Sequence, residues 1–200
     1  MTTYTPGIGN ESHTPFYKRY PQGVDPNMPW HYYEFYTPKH IIDAVVEVLG
    51  QIDLDPCSNS YTNPNIPAKY LYTKVDNALQ YTWYDKVFMN PPYGYAITEW
   101  VEKLRHDYEA GHVTEAIMLV PASIGSKWFA RMEQYPHCFL DDKLHFLRPL
   151  GFTVREARGA TAIFYLGQNV GRFCEVFRRL GRMVGCAEEA ALVGANGWER

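Results

Sequence analysis

Apolar positions along the chain fall into two spacings, one helical and one with the continuous run of a buried strand. Ile41, Ile42, Val45, Val48 and Leu49 recur at helical intervals and predict a helix over roughly 38–49. Thr37 suits its N-cap, Pro38 its first helical position and Gly50 its end. Gln51 to Pro56 reads as a strand that ends in Asp-Pro, with Asp55 at its tip and Asp53 directed to the opposite side. Residues 59–69 then read as a loop, and Tyr70-Leu71-Tyr72-Thr73 as a second strand. Val87-Phe88-Met89 is apolar on both faces, the mark of a buried strand in a parallel sheet. Ile97, Trp100, Val101, Leu104 and Tyr108 return to helical spacing before Gly111. A buried strand from Ala116 to Ala122 and a helix from Ser126 to Tyr135 come next. Cys138-Phe139-Leu140 is strand-like, and Ala160 to Leu166 reads as the last strand. Phe173, Val176, Phe177 and Leu180 make a closing helix whose other face carries arginines.

Alternating strands and helices predict an α/β fold, a mostly parallel sheet with helices on both faces. The folded domain is expected over 34–185. Residues 1–33, rich in Pro, Gly, Asn and Tyr without periodicity, form an expected N-terminal arm, and 186–200 a tail.

Composition adds constraints. Two hundred residues allow one domain with a sizeable core. No apolar run is long enough to span a bilayer and no signal-peptide pattern is present, so a cytoplasmic protein with no membrane partner is expected. Cys57, Cys138, Cys174 and Cys186 lack C-x-x-C spacing, which points to reduced, buried thiols rather than zinc or a disulfide framework. The net charge of −3 is unevenly spread. Lys143 to Arg182 carries eight basic residues against Glu156 and Glu175, whereas residues 1–142 carry ten basic and seventeen acidic ones. Such asymmetry is expected of a phosphate-facing surface.

The chemistry concentrates in Asn90-Pro91-Pro92-Tyr93-Gly94. Neither proline has an N–H for a ladder, so the strand before them stops at Asn90, and Asn90 is held extended by Pro91. The corner lies at the C-terminal end of a strand, where open α/β sheets place ligands. It offers an amide, free carbonyls and an aromatic face, a set suited to an exocyclic amine on a flat ring. The N6 lone pair of adenine is delocalised into the ring. The Asn90 carboxamide oxygen and the Pro91 carbonyl can each accept one N6 hydrogen, pulling the nitrogen toward tetrahedral geometry for attack on a methyl donor. Asn serves better than Asp here because a buried neutral acceptor avoids the cost of desolvating a charge. Tyr93 would stack on the base, worth roughly 1–3 kcal/mol, and a base in a duplex would first have to be flipped out. The same residues are also compatible with a plain Pro-Pro turn. Asp55 can accept from an ammonium group, and Asp76 either from a cofactor amine or as a turn residue. No G-x-G-x-x-G follows the first strand, so a pyrophosphate cradle is not indicated.

Four elements in one order, Tyr36-Thr37-Pro38, Asp53-Leu54-Asp55-Pro56, Asp76-Asn77-Ala78-Leu79 with Trp83, and Asn90-Pro91-Pro92-Tyr93, resemble the phage-type, Dam-like DNA N6-adenine methyltransferases, over roughly 34–167. The resemblance implies a Rossmann-like fold binding S-adenosyl-L-methionine. It implies site-specific, adenine-specific methylation of double-stranded DNA by direct transfer, as found in restriction-modification systems. By that resemblance Tyr36, Thr37, Pro38, Asp55, Pro56, Cys57, Asp76 and Asn90 contact the cofactor. Asn90, Pro91, Pro92 and Tyr93 form the catalytic corner. The Arg-rich loop with Arg148, Arg155 and Arg158, the loop 58–69 and the N-terminal arm are the candidates for meeting DNA. A protein-glutamine or RNA-adenine methyltransferase, and a non-catalytic DNA-binding module, are the alternative readings. The Arg-rich segment and the short layout favour DNA.

Overall fold

The computed structural model describes residues 36–60, 64–147, 155–157 and 159–186. The predicted arm and the tail from 187 lie outside them, as do Arg148 and Arg158. In chain order the elements are α1 (Lys39–Leu49), β1 (Ile52–Ser58), β2 (Ala68–Thr73), a 3-10 turn (Ala78–Gln80), β3 (Asp85–Met89), α2 (Ile97–Glu109), β4 (Val113–Pro121), α3 (Lys127–Met132), β5 (His137–Leu140), β6 (His145–Phe146), β7 (Arg155–Glu156), β8 (Thr161–Leu166), α4 (Val170–Phe177) and β9 (Gly181–Val184). No helix among the described residues is long and apolar enough to cross a membrane.

Seven strands form one sheet in the order β2-β1-β3-β4-β8-β5-β9, and β6 and β7 form a separate ribbon. β2, β1, β3 and β4 pair in parallel, as the apolar run of β3 predicts. The other three pairings, β4–β8, β8–β5 and β5–β9, are antiparallel. The sheet is therefore mixed, correcting the expectation of a mostly parallel one. A parallel pair needs a crossover that carries the chain back to the starting end. Between β5 and β8 the described chain forms only the β6–β7 ribbon, so β8 starts at the end where β5 stopped and runs back. β8 is also not the last strand. β9 follows α4 and covers the edge of β5, a short element with no apolar run to signal it.

Helices do lie on both faces, because side chains alternate along each strand. Phe88, Ile117, Leu119, Ile163 and Tyr165 join Ile41, Val45 and Leu49 of α1 and Phe173 and Phe177 of α4 in one core layer. Val87, Met89, Met118, Val120, Phe164 and Leu166 join Trp100 and Leu104 of α2 and Phe129 and Met132 of α3 in the other. The same alternation puts Asp53 and Asp55, two residues apart on β1, on one face rather than on opposite sides. Asp53 is tied up locally, accepting from Gln51 Nε2 at 2.8 Å and from the Lys86 amide at 3.3 Å.

Cys174 and Cys186 form a disulfide, against the expectation of reduced thiols. Their residues are far apart in motif terms but are brought together when β9 folds back beside α4. Cys57 and Cys138 are free.

Candidate active site

β1, β3, β4 and β5 all end on one side of the sheet, and β8 begins there. Their ends build the site. β1 runs through Pro56 to Ser58 instead of stopping at Asp-Pro. The missing Pro N–H breaks the ladder, and the register with β2 shifts between Asp55 and Ser58. That kink leaves Asp55 in a cleft lined by Thr37, Asp55, Cys57, Asn59, Asn65, Ile66 and Asn90. Three segments predicted to act together thus meet: the entry to α1, the tip of β1 and the corner after β3.

Asp55 is only 2% exposed. Its carboxylate accepts from the Cys57 amide at 3.0 Å and from the Ser58 side chain. Burial outweighs both contacts and raises its pKa from 3.8 to about 7. Burial, and then Asp55 itself, push the Cys57 thiol up, so it stays protonated and is no nucleophile.

Thr37 is buried, but its hydroxyl does not cap α1, whose N-cap is Pro38 without a side-chain cap bond. The hydroxyl is engaged across the cleft, accepting from Asn90 Nδ2 at 3.2 Å. Asn65 Nδ2 in turn donates to the Thr37 carbonyl at 3.1 Å, and the Asn65 amide donates to Asn59 Oδ1 at 3.0 Å. Asn59, Asn65 and Ile66, from the described parts of the predicted loop, therefore line the cleft. Asn59, Asn65 and Ile66 were not singled out in the sequence, where nothing marks them apart from other loop residues.

Asp76 is engaged with the turn after β2. It accepts from the amide and the hydroxyl of Thr73, at 2.7 and 3.2 Å, and is not among the residues lining the cleft. Tyr36 and Pro38 are likewise outside the lining. Tyr36 exchanges backbone bonds with Leu147 at 2.8 and 3.1 Å, joining the ribbon to the entry of α1. Pro56 is buried within β1. Trp83 is a core residue, its indole donating to the Ala78 carbonyl at 2.9 Å and its amide to Asp107 at 2.8 Å.

At the corner, Pro91 is buried, Pro92 half-buried and Tyr93 43% exposed. Gly94 turns the chain into α2 at φ 114°, a conformation that favours glycine. The Tyr93 ring meets Phe146 of β6 edge-on, with centroids 6.1 Å apart. Although much of its surface is accessible, desolvation around Tyr93 raises its phenol above the usual range. Beside it lies a second recess, lined by Tyr93, Pro121, Ala157, Gly159, Ala160 and Thr161. The residues are small or apolar, apart from Tyr93 and Thr161. The corner thus stands between a polar cleft holding a buried acid and an apolar recess walled by an aromatic ring.

The basic segment divides in two. Arg172 and Arg179 both pair with Glu47 in the last turn of α1, Arg172 at 3.1 Å, and Arg172 also holds Glu175 at 2.8 Å. Arg182 lies over the Phe139 ring at 5.3 Å. Glu47 is ten residues along α1 from Thr37, roughly 15 Å at the helical rise. Arg172 and Arg179 therefore knit the α4 end of the chain to α1. Arg155 sits on β7, its backbone paired with Phe146, next to the corner.

No curated protein matches the chain at a significant level. Residues 32–148, more than half of the chain and including Thr37, Asp55 and Asn90 to Tyr93, match the family described as DNA N-6-adenine-methyltransferase (Dam), and the chain belongs to that family.

Proposed function

We propose that residues 34–185 methylate the N6 amine of adenine in double-stranded DNA, by direct transfer from S-adenosylmethionine to a flipped-out base. The observation that carries this reading is that one corner, Asn90 to Tyr93, borders both recesses. A donor seated in the cleft would border Asn90 and an acceptor in the recess would border Tyr93, so the two would meet along the corner.

The cleft suits the cofactor by the chemistry of its donors. A buried carboxylate short of partners, Asp55, would be relieved by an ammonium group. The residues that would hold the cofactor are Asp55 and Cys57, with Thr37 in the cleft wall and Asn90 at the reacting end. When bound, S-adenosylmethionine supplies an electrophilic methyl group. On the other side the apolar recess admits a flat ring, with Tyr93 stacking against it and Phe146 fixing the tyrosine. A base reaches it only after leaving the duplex. The Asn90 carboxamide oxygen and the Pro91 carbonyl accept the two N6 hydrogens and localise the lone pair on nitrogen. Transfer would move the methyl group from the donor's sulfur, which would leave as a thioether, to N6, and one N6 proton would be lost to solvent, since neither acceptor is a base at neutral pH. The protonated Cys57 fits a reaction without a covalent enzyme intermediate.

The test is transfer of labelled methyl from S-adenosylmethionine to unmethylated duplex DNA, with nucleosides resolved by mass spectrometry. Wild type should yield N6-methyladenine. Asn90→Ala should bind the cofactor yet lose about 100-fold or more in kcat, about 3 kcal/mol, because contacts made in the transition state are removed. Label bound without transfer to DNA, or full activity in Asn90→Ala, would overturn the proposal.

A further inference from the structure

We infer that Thr37 is a positioning residue, its hydroxyl holding the Asn90 carboxamide nitrogen so that the carboxamide oxygen is the atom presented to the acceptor amine. This rests on the methyltransferase reading above and extends it, since that reading gives Thr37 only a place against the cofactor.

A carboxamide has one accepting end and one donating end of nearly the same shape. Turned one way, Asn90 offers oxygen to an amine. Turned the other, it opposes the amine with its own N–H groups. A protein that uses Asn here must select one face. The Asn90 nitrogen donates to Thr37 Oγ1 at 3.2 Å, and no described residue donates to the Asn90 oxygen. The two residues are 53 apart in sequence, so this contact exists only in the folded chain. Three further observations show that Thr37 is built for the contact. Its side chain is buried, at 2% exposure. Its hydroxyl is released from the capping role its sequence position suggests. Its carbonyl is held from behind by Asn65 Nδ2. The nitrogen end of the amide is thus anchored to the entry of α1, and the same residue links the cleft wall to the reacting corner.

Three variants and one double variant test this, in single-turnover methylation of duplex DNA with cofactor affinity measured separately by calorimetry. Thr37→Val, nearly isosteric and without the hydroxyl, should lower the rate about tenfold or more while cofactor Kd and the KM for DNA move less than about threefold. Thr37→Ser should stay within about threefold of wild type, because it restores the oxygen. The two oxygens of a carboxylate are equivalent and need no selection. In an Asn90→Asp background Thr37→Val should therefore cost less than about threefold more, a non-additivity that a general packing role would not produce. The inference falls if Thr37→Val leaves the rate unchanged, if its loss is equal in both backgrounds, or if it appears only in cofactor Kd. It falls too if Thr37→Ser is as impaired as Thr37→Val, a comparison that stands even if the valine variant folds poorly. An inactive wild type would overturn the methyltransferase reading itself, whereas an active wild type with an indifferent Thr37 would overturn this inference alone.

Discussion

Burial raises the Asp55 carboxyl from 3.8 to about 7, so near neutral pH the free protein holds a group divided between its neutral and charged forms. A carboxyl whose folded pKa exceeds its unfolded one binds more protons when folded. Its contribution to stability is therefore complete below about pH 4 and is lost as pH rises to about 7, a change of a few kcal/mol at most. An ammonium ligand acts in the opposite sense, since it favours the carboxylate. Cofactor binding to wild type should thus release a proton and tighten as pH rises from about 5.5 to 7.5, within the window set by the folded pKa. Asp55→Asn should bind about 10- to 100-fold more weakly, with no such pH dependence, and should flatten the fall of Tm over the same range. Parallel pH profiles for the two proteins, by calorimetric titration and thermal melts, would remove Asp55 from the cofactor site.

The β6–β7 ribbon is the element that ties DNA recognition to the corner in our reading. Phe146 supports Tyr93, the Leu144 carbonyl accepts from the Ala157 amide at 2.8 Å, and Leu147 is paired to Tyr36. A ribbon joined at these points moves with the corner, so phosphate contacts along it would set where a flipped base arrives. Replacing Arg155 and Arg158 with Ala should weaken duplex binding and reduce the slope of log K against log salt by about 1 to 2. Cofactor affinity should not change. Arg172→Ala should leave the slope as it is, because that guanidinium is shared between Glu47 and Glu175 on the α1–α4 side. Anisotropy titrations over a salt series decide this, and equal slopes in all three proteins would take the ribbon out of the interface.

At the scale of the whole molecule, two apolar layers hold the sheet between its helices, and the Cys174–Cys186 bridge closes the far edge. The bridge links α4 to the chain just beyond β9 across 12 residues of sequence. Closing a loop of that size in the unfolded chain is worth about 3 kcal/mol in the chain-entropy account. Cys186→Ser, or wild type under reductant, should therefore melt several degrees lower, roughly 6–12 °C for a chain of this length. Methylation well below the transition should be retained, since neither cysteine lines the cleft. Calorimetry with and without reductant measures this, and an unchanged Tm would mean the bridge constrains nothing that unfolds.

Local features of the chain determined much of this. The alternation of apolar runs and helical spacings was enough for an α/β layering with helices on both faces. The two prolines after Asn90 were enough for a rigid corner at a strand end, because a missing N–H acts wherever the chain goes. The order of the four short motifs carried the family. Only tertiary structure decided the direction of β8 and the existence of β9, since strand direction depends on where a connection leaves the chain. It alone separated Asp55, left in a cleft, from Asp53, tied to Gln51 and Lys86, although both sit on one strand. It set Arg172 and Arg179 against Glu47, which a count of charges cannot do. And it turned Thr37 from an expected helix cap into the partner of Asn90, because that contact depends on two segments that only the sheet brings together.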